Sequence, residues 1–329
     1  MITSKIRKSV LSILVISLTL CFYSVPAIAS DILLGTDERG TFSYFSGRLV
    51  ERVINREIKD IECKAVPGSG DIHNLTNLLE GSLDIALIDS RMLNDAVNKA
   101  GNFKFLDINF QNLSILAPFY DVPVTLVAGN KTHITKLDDL KGKRINIGIP
   151  RSPQNIIFDT IFKAKTWSKN DFSMVAEISD SQSQDSMAFC YGNIDAMIHI
   201  GVHPDPAMAQ LLRQCKAKII DMNDTDVAVL VHQYPAFSKL TLLSGTYPSQ
   251  TKDIKTFGTQ VLMVASQDLD EETVYTILDA IYKNSEKLST AHPALALKKL
   301  EEKTHAGIKL HPGPLSIFPG SNRYIIYYI

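Results

Sequence analysis

With 34 basic and 35 acidic side chains in 329 residues, the chain carries a formal net charge of −1. That is too even a balance to gather a nucleic acid through a long-range field, though the length suffices for two domains. The four cysteines form no Cys-x-x-Cys pair and the eight histidines show no metal-ligand spacing with them, which excludes the usual zinc and redox motifs.

The N-terminus reads as a secretory signal. Lys5, Arg7 and Lys8 precede an uncharged, mostly apolar run from Val10 to Val25, and Pro26-Ala27-Ile28-Ala29-Ser30 supplies small residues where a signal peptidase cuts. The run is short for a membrane span, which needs about 20 residues. Cleavage is expected after Ala29, giving a periplasmic protein. Leu20 before Cys21 is not the small residue that a lipoprotein box requires. Cys63, Cys190 and Cys215 then remain. They read as buried apolar residues, although an oxidising compartment permits one bridge and one free thiol.

Beyond the signal, short apolar strands alternate with amphipathic helices. Ile32-Leu33-Leu34 is a strand running into a loop from Gly35 to Gly40, and the following helix buries Phe45, Leu49 and Val53 with Val50 and Ile54. A strand from Glu62 to Val66 meets a turn, Pro67-Gly68-Ser69-Gly70, and a helix carrying Ile72, Leu75, Leu78 and Leu79 ends at Gly81. Leu83 to Ile88 is a fully buried strand. The plan recurs with a strand from Arg144 to Gly148, a loop from Ile149 to Pro153, and a helix bearing Ile156, Ile157, Ile161 and Phe162. Gly192-Asn193-Ile194-Asp195-Ala196-Met197-Ile198 echoes Gly81-Ser82-Leu83-Asp84-Ile85-Ala86-Leu87, a weak internal repeat that implies two lobes of similar design. A strand from Gly258 to Ala265 and a long helix from Val274 to Leu288 return the chain to the first lobe.

Such alternation implies largely parallel sheets with ligands beyond the carboxyl ends of the strands, where helix N-termini present free N–H groups. Those places are the loops 36–41, 67–71, 89–91, 151–154 and 201–205.

In family order, the chain carries Gly35-Thr36 through Gly40-Thr41 with Tyr44, then Pro67-Gly68-Ser69-Gly70 with Asn74, then Leu79-Glu80-Gly81 with Asp84-Ile85-Ala86. Leu137, Asp139-Leu140-Lys141-Gly142-Lys143-Arg144-Ile145, Gly201 with His203-Pro204, His292-Pro293-Ala294 and Leu310-His311-Pro312-Gly313 complete the set. This ordered set resembles the TAXI-type solute receptors of TRAP transporters across nearly the whole exported chain. The resemblance implies a two-lobed, type II-like periplasmic binding protein of the α/β class. Each lobe would be a mostly parallel sheet flanked by helices, with the ligand cleft between lobes. The expected organisation is a signal peptide over 1–29, a first lobe over 30–118 and 266–329, and a second over 119–265.

It further implies a receptor, not an enzyme, that captures a small organic anion and docks as a monomer on a TRAP-type membrane permease. The anion would belong to the acidic amino acid, dicarboxylate or 2-oxo acid class. No catalytic residue, metal, cofactor or nucleic acid is expected. Alternatives are a receptor for an ABC permease or a sensor, or a surface antigen with a decayed site. The chain departs from the family pattern at Asp37-Glu38-Arg39, at Pro150-Arg151-Ser152-Pro153-Gln154, and at Pro314 and Ser316-Ile317-Phe318-Pro319. Those departures fall where the ligand should lie.

The expected ligand-binding residues are Thr36, Asp37, Gly40, Thr41 and Tyr44 of the first loop; Ser69, Gly70 and Asn74 of the second; Asp89, Ser90 and Arg91; Tyr120; and Arg151, Ser152, Gln154, Gly201 and His203 of the second lobe. Arg151 is either a bidentate carboxylate clamp or a solvated loop charge. Ser69, Gly70 and Ser152 either donate to an anion or cap helices. Tyr44 and Tyr120 either wall the cleft or pack. Gly68-Ser69-Gly70 lacks the lysine of a phosphate-binding loop, and no Gly-x-Ser-x-Gly elbow occurs.

Overall fold

The structure, a computed structural model, describes residues 30–179, 184–297 and 309–313. The expected signal peptide and the departures after Pro314 lie outside them.

The chain begins with β1 (Ser30–Thr36), α1 (Phe42–Glu57), β2 (Ile61–Pro67), α2 (Asp71–Leu79), β3 (Ile85–Asp89) and α3 (Ser90–Val97). A strand of 17 residues follows, β4 (Leu113–Gly129). Then come β5 (Arg144–Asn146), α4 (Pro153–Lys165), β6 (Met174–Ala176), α5 (Gln184–Cys190), β7 (Ala196–Ile200), α6 (Pro206–Gln214) and β8 (Ala217–Ile220). The rest is α7 (Asp224–Gln233), β9 (Ser238–Leu242), β10 (Ile254–Ser266), α8 (Glu271–Lys283), α9 (Ser285–Ala291) and β11 (Lys309–Leu310).

The strand order is β2-β1-β3-β10-β4-β7-β5-β6, with β11 and β8 on β4 and β9 on β10. The β1–β2 and β1–β3 pairs are parallel, as are β5–β6 and β5–β7, whereas β10 runs antiparallel to both β3 and β4. Residues Leu113 to Pro123 of β4 pair with β10, and Val124 to Gly129 pair with β7 and β8. β4 and β10 therefore cross between two α/β units.

Each unit has helices on both faces of its sheet. On the first, α1 and α8 pack Val50, Val53, Val274 and Ile277 against one face, and α2 and α3 pack Leu75, Leu78 and Leu93 against the other. On the second, α4 and α7 supply Ile157, Phe158, Ile161 and Leu230, and the opposite face takes Phe189, Met208 and Leu211 from α5 and α6. Burying a large apolar side chain of this kind contributes about 1.5–3 kcal/mol, so both units have cores of their own.

The weak repeat has a physical meaning. The Asp84 carboxylate accepts the N–H of Leu33 at 2.7 Å while its own N–H reaches the Leu33 carbonyl at 3.0 Å. In the second unit the Asp195 carboxylate accepts the N–H of Arg144 at 2.9 Å and its N–H reaches the Arg144 carbonyl at 2.7 Å. In both copies the aspartate after the helix-ending glycine bonds the residue just before the parallel ladder with its neighbouring strand begins.

Two expectations are corrected. The helix read as continuous from Val274 to Leu288 breaks at Asn284, whose side chain donates to the Ala280 carbonyl at 2.9 Å and competes with the helical ladder. Of the cysteines, Cys63 is buried and free, but Cys190 and Cys215 form a disulfide with Cα atoms 4.7 Å apart. The bridge ties the end of α5 to the residue after α6.

Candidate ligand site

The parallel strands of the first unit all deliver acidic groups to one place. Asp37 directly follows β1, Asp71 opens α2, and Asp89 is both the last residue of β3 and the N-cap of α3. The Asp89 carboxylate accepts the Arg91 N–H at 2.9 Å and the Thr259 hydroxyl at 2.5 Å. Asp71 accepts the Asp89 N–H at 3.3 Å. With Arg91, Ser43 and Thr259, these carboxylates line a cavity of about 330 Å³, near the small end of the ~300–1,000 Å³ usual for small-molecule sites.

The opposite wall comes from the second unit and is apolar. Pro153, Ile156 and Ile157 reach in from the first turns of α4, with Ile200 and Val202 from the end of β7 and Phe237 from before β9. Tyr120, Val122 and Val124 of β4 and Val261 of β10 form the side where the strands cross between the units. Phe42 closes the cavity near α1, edge-on to Tyr120 at 4.9 Å and to His292 at 4.6 Å between ring centres.

All three carboxyls are pushed above their ordinary range. Burial is the first cause for Asp37, followed by repulsion from Asp89. Asp71 is raised well above it, by burial and then by the charges of Asp89 and Asp37. Asp89 is raised by burial, against the opposing pull of the Thr259 hydroxyl and Arg91. Arg91 is the cation of the cavity lining, and its ion pair is with Asp95 one turn along α3, at 3.5 Å.

Of the residues expected at the site, Asp37, Thr41, Asp89, Arg91 and Tyr120 line the cavity. Others frame it. Thr36 and Asn74 are fully buried, and Asn74 donates to the Thr36 carbonyl at 3.0 Å, pinning α2 to the end of β1. Gly70, at φ 108°, turns the chain into α2 next to Ser69, and Gly40 at φ 92° is exposed in the first loop. Thr41 caps α1 by accepting the Tyr44 N–H at 3.2 Å. Ser90 bridges the units, accepting the Gln260 N–H at 3.1 Å and donating to the Ala236 carbonyl at 3.0 Å.

In the second unit the expected polar residues stand back. Ser152 caps α4 by accepting the Asn155 N–H at 3.2 Å, and Arg151 is exposed, at φ 69°. Neither they nor Gln154 and Gly201 lie in the cavity lining. His203 is buried between Thr125 at 2.7 Å and the Tyr247 hydroxyl at 2.5 Å. It fastens the loop whose neighbour Val202 enters the cavity. Burial is the first cause holding its imidazole down to about 4. The tyrosine hydroxyl also accepts the Asp205 N–H at 2.8 Å, which ties the start of the following helix to the same side chain.

Sequence reasoning did not single out Asp71, although it sits at the edge of an expected loop. It also missed Phe42, Ser43, Phe237 and Thr259, whose residue types carry no signal of their own. Among the described residues no group of three His, Cys, Asp or Glu side chains is arranged to hold a metal ion, and no helix is long and apolar enough to cross a membrane.

The fold recurs in solved periplasmic binding proteins. A TctC solute-binding protein from Polaromonas matches at 12% identity and TM-score 0.57, over 83% of this chain and 90% of that one. PhnD1 from Prochlorococcus marinus, solved with methylphosphonate, matches at 13% identity and TM-score 0.51, over 84% and 95%. A putative periplasmic sulfonate-binding protein, SsuA, from Methylobacillus flagellatus matches at 12% identity and TM-score 0.50, over 84% and 76%. At such identities these likenesses establish the fold alone. The model of the NMT1-like family matches residues 34–319 of the 329, and the protein therefore belongs to the NMT1-like family.

Proposed function

We propose that this protein is an extracytoplasmic receptor that captures a small solute between its two α/β units and delivers it to a membrane permease. The observation that carries this reading is the cavity of about 330 Å³ walled by both units beside the strands β4 and β10. A solute touching both walls has more contacts when the units close on it, so binding favours closure and the permease can read the closed form. The names of the structural relatives support the same role. The Cys190–Cys215 bridge supports an oxidising compartment, in keeping with export directed by residues 1–29.

The ordered motif set supports a TAXI-type receptor for a TRAP permease. The sulfonate-binding relative is described as part of an ABC transporter, which supports an ABC permease as the second reading. Reconstituted uptake with each class of permease separates the two. The organic-anion expectation loses its clamp in this reading, because Arg151 lies exposed and outside the cavity lining; among the lining residues Arg91 is left to meet an anion.

Native mass spectrometry of protein purified without refolding tests receptor function. The wild type should carry a small molecule released on denaturation. Ile156→Trp, which fills the cavity from a partly exposed position, should carry none. Equal loading of the two proteins would refute the cavity as the binding site.

A further inference from the structure

The cavity is divided by charge and polarity between its two walls. The first unit contributes three carboxylates, Asp37, Asp71 and Asp89, and the second contributes proline, isoleucine, valine and phenylalanine side chains. The carboxylates are only partly offset from within, by the charge of Arg91 acting on Asp71 and Asp89. Among the described residues none of the three has a lysine or arginine within ion-pair distance, and the guanidinium of Arg91 is engaged by Asp95 at 3.5 Å. Hydrogen bonds fix the orientation of Asp89 and Asp71. Both oxygens of Asp89 accept, from Arg91 N–H and from Thr259. Asp71 uses one oxygen for the Asp89 N–H, and its other oxygen has no partner among the described residues.

Burying like charges together is costly unless a counter-charge arrives. The three groups are not arranged as a metal cluster, and a bare ion would gain nothing from the apolar wall. An organic cation satisfies both walls at once. Its N–H donors meet the carboxylates in charge-assisted hydrogen bonds, and its hydrocarbon part covers Ile156 and Ile157.

Resting on the receptor reading above, we infer that the solute is an organic cation, a protonated amine or amidinium on an apolar body, with its positive end at Asp37, Asp71 and Asp89 and its body against Ile156 and Ile157. Closure then brings the apolar wall of the second unit over a charge already seated on the first.

The test is a thermal-shift panel at pH 7.5 followed by calorimetry. The cations are phenethylamine, tyramine and benzamidine. The matched anions are phenylacetate, glutarate and 2-oxoglutarate, with calcium chloride as the metal control. The inference expects stabilisation by cations and none by the anions or calcium. Asp71→Asn and Asp37→Asn should each weaken the best cation at least tenfold, while their circular dichroism and unliganded melting remain those of a folded protein. Stabilisation by an anion alone, or by a cation equally well in both variants, overturns the inference and leaves the receptor reading standing. Stabilisation by calcium alone replaces the organic cation with a metal and likewise overturns it. Silence from every compound in the wild type, together with no co-purified molecule in the mass-spectrometric test, removes the receptor reading as well.

Discussion

Asp71 accepts the backbone N–H of Asp89 at 3.3 Å, and this bond holds the helix that follows β2 against the end of β3. It fixes two carboxylates in one cavity, with a third, Asp37, close enough to raise both the pKa of Asp71 and the cost of its charge. The unliganded protein thus carries repulsion that a bound cation relieves.

The first prediction concerns that repulsion. A carboxyl whose folded pKa lies above its unfolded value takes up protons on folding between those two values, so stability falls as pH rises through that interval. For Asp71 the interval begins at 3.8 and extends upward. Asp71→Asn should therefore melt higher than wild type at pH 7.5, with the gap closing as pH falls toward the ordinary carboxylate range. Melting curves across pH check this. A variant that melts lower than wild type at neutral pH would show that the Asp89 N–H bond outweighs the repulsion.

His203 gives the opposite sign. It stays neutral in the folded protein down to about 4, against 6.5 when free. On acidification the unfolded chain takes the proton first, so stability is full above 6.5 and drains away as pH falls from 6.5 toward about 4. The loss is roughly 2–4 kcal/mol at about 1.4 kcal/mol per pH unit. Denaturant melts of wild type and His203→Gln between these limits should differ in slope, with the variant flatter.

The cysteines predict a thiol count. Among the described residues Cys63 is the free thiol, buried and pushed up to about 12, first by burial and then by nearby Glu51 and Asp84. Thiol titration should find none reactive in the native protein, one after denaturation and three after reduction. Replacing Cys190 and Cys215 by serine should cost about 2–4 kcal/mol, the usual range for a loop of this size. Three reactive thiols in denatured, unreduced protein would contradict the pairing.

Where β4 and β10 cross between the units, Gly258 faces Pro123, and a Cβ there would lie 2.3 Å from the Val122 carbonyl oxygen and 2.8 Å from Leu240. Gly258→Ala should destabilise by about 1–3 kcal/mol, as overpacking does. Chemical denaturation measures it, and a neutral result would mean that β4 and β10 separate readily at this point.

The Gly258–Pro123 pairing also shows what the sequence could not reveal. Hydrophobic period and turn residues located β1 to β3, β5, α4 and the aspartates at the strand ends, because each signal is local. β4 was not legible: Pro118 and Pro123 interrupt it, and proline within a run argues against a strand. The strand continues because β4 bulges at Phe119 and Leu116, opposite Val261/Leu262 and Met263/Val264 of β10, and because a glycine stands opposite Pro123. Asp37 and Asp89 were legible as site residues from their place after strands. Phe42, Phe237 and Thr259 were not, since only the tertiary fold brings them together. Arg151 drew attention through its chemistry in a loop at the right end of a strand. Neither its left-handed backbone nor its place outside the cavity lining is encoded in any spacing.

Hydrogen exchange followed by mass spectrometry, with and without the most stabilising compound of the panel, tests the central claim that a solute is held between the two units. Slowed exchange is expected both in the first unit, around 37–43 and 89–92, and in the second, around 153–158 and 200–203. Protection confined to one unit, or located away from these segments, would contradict it.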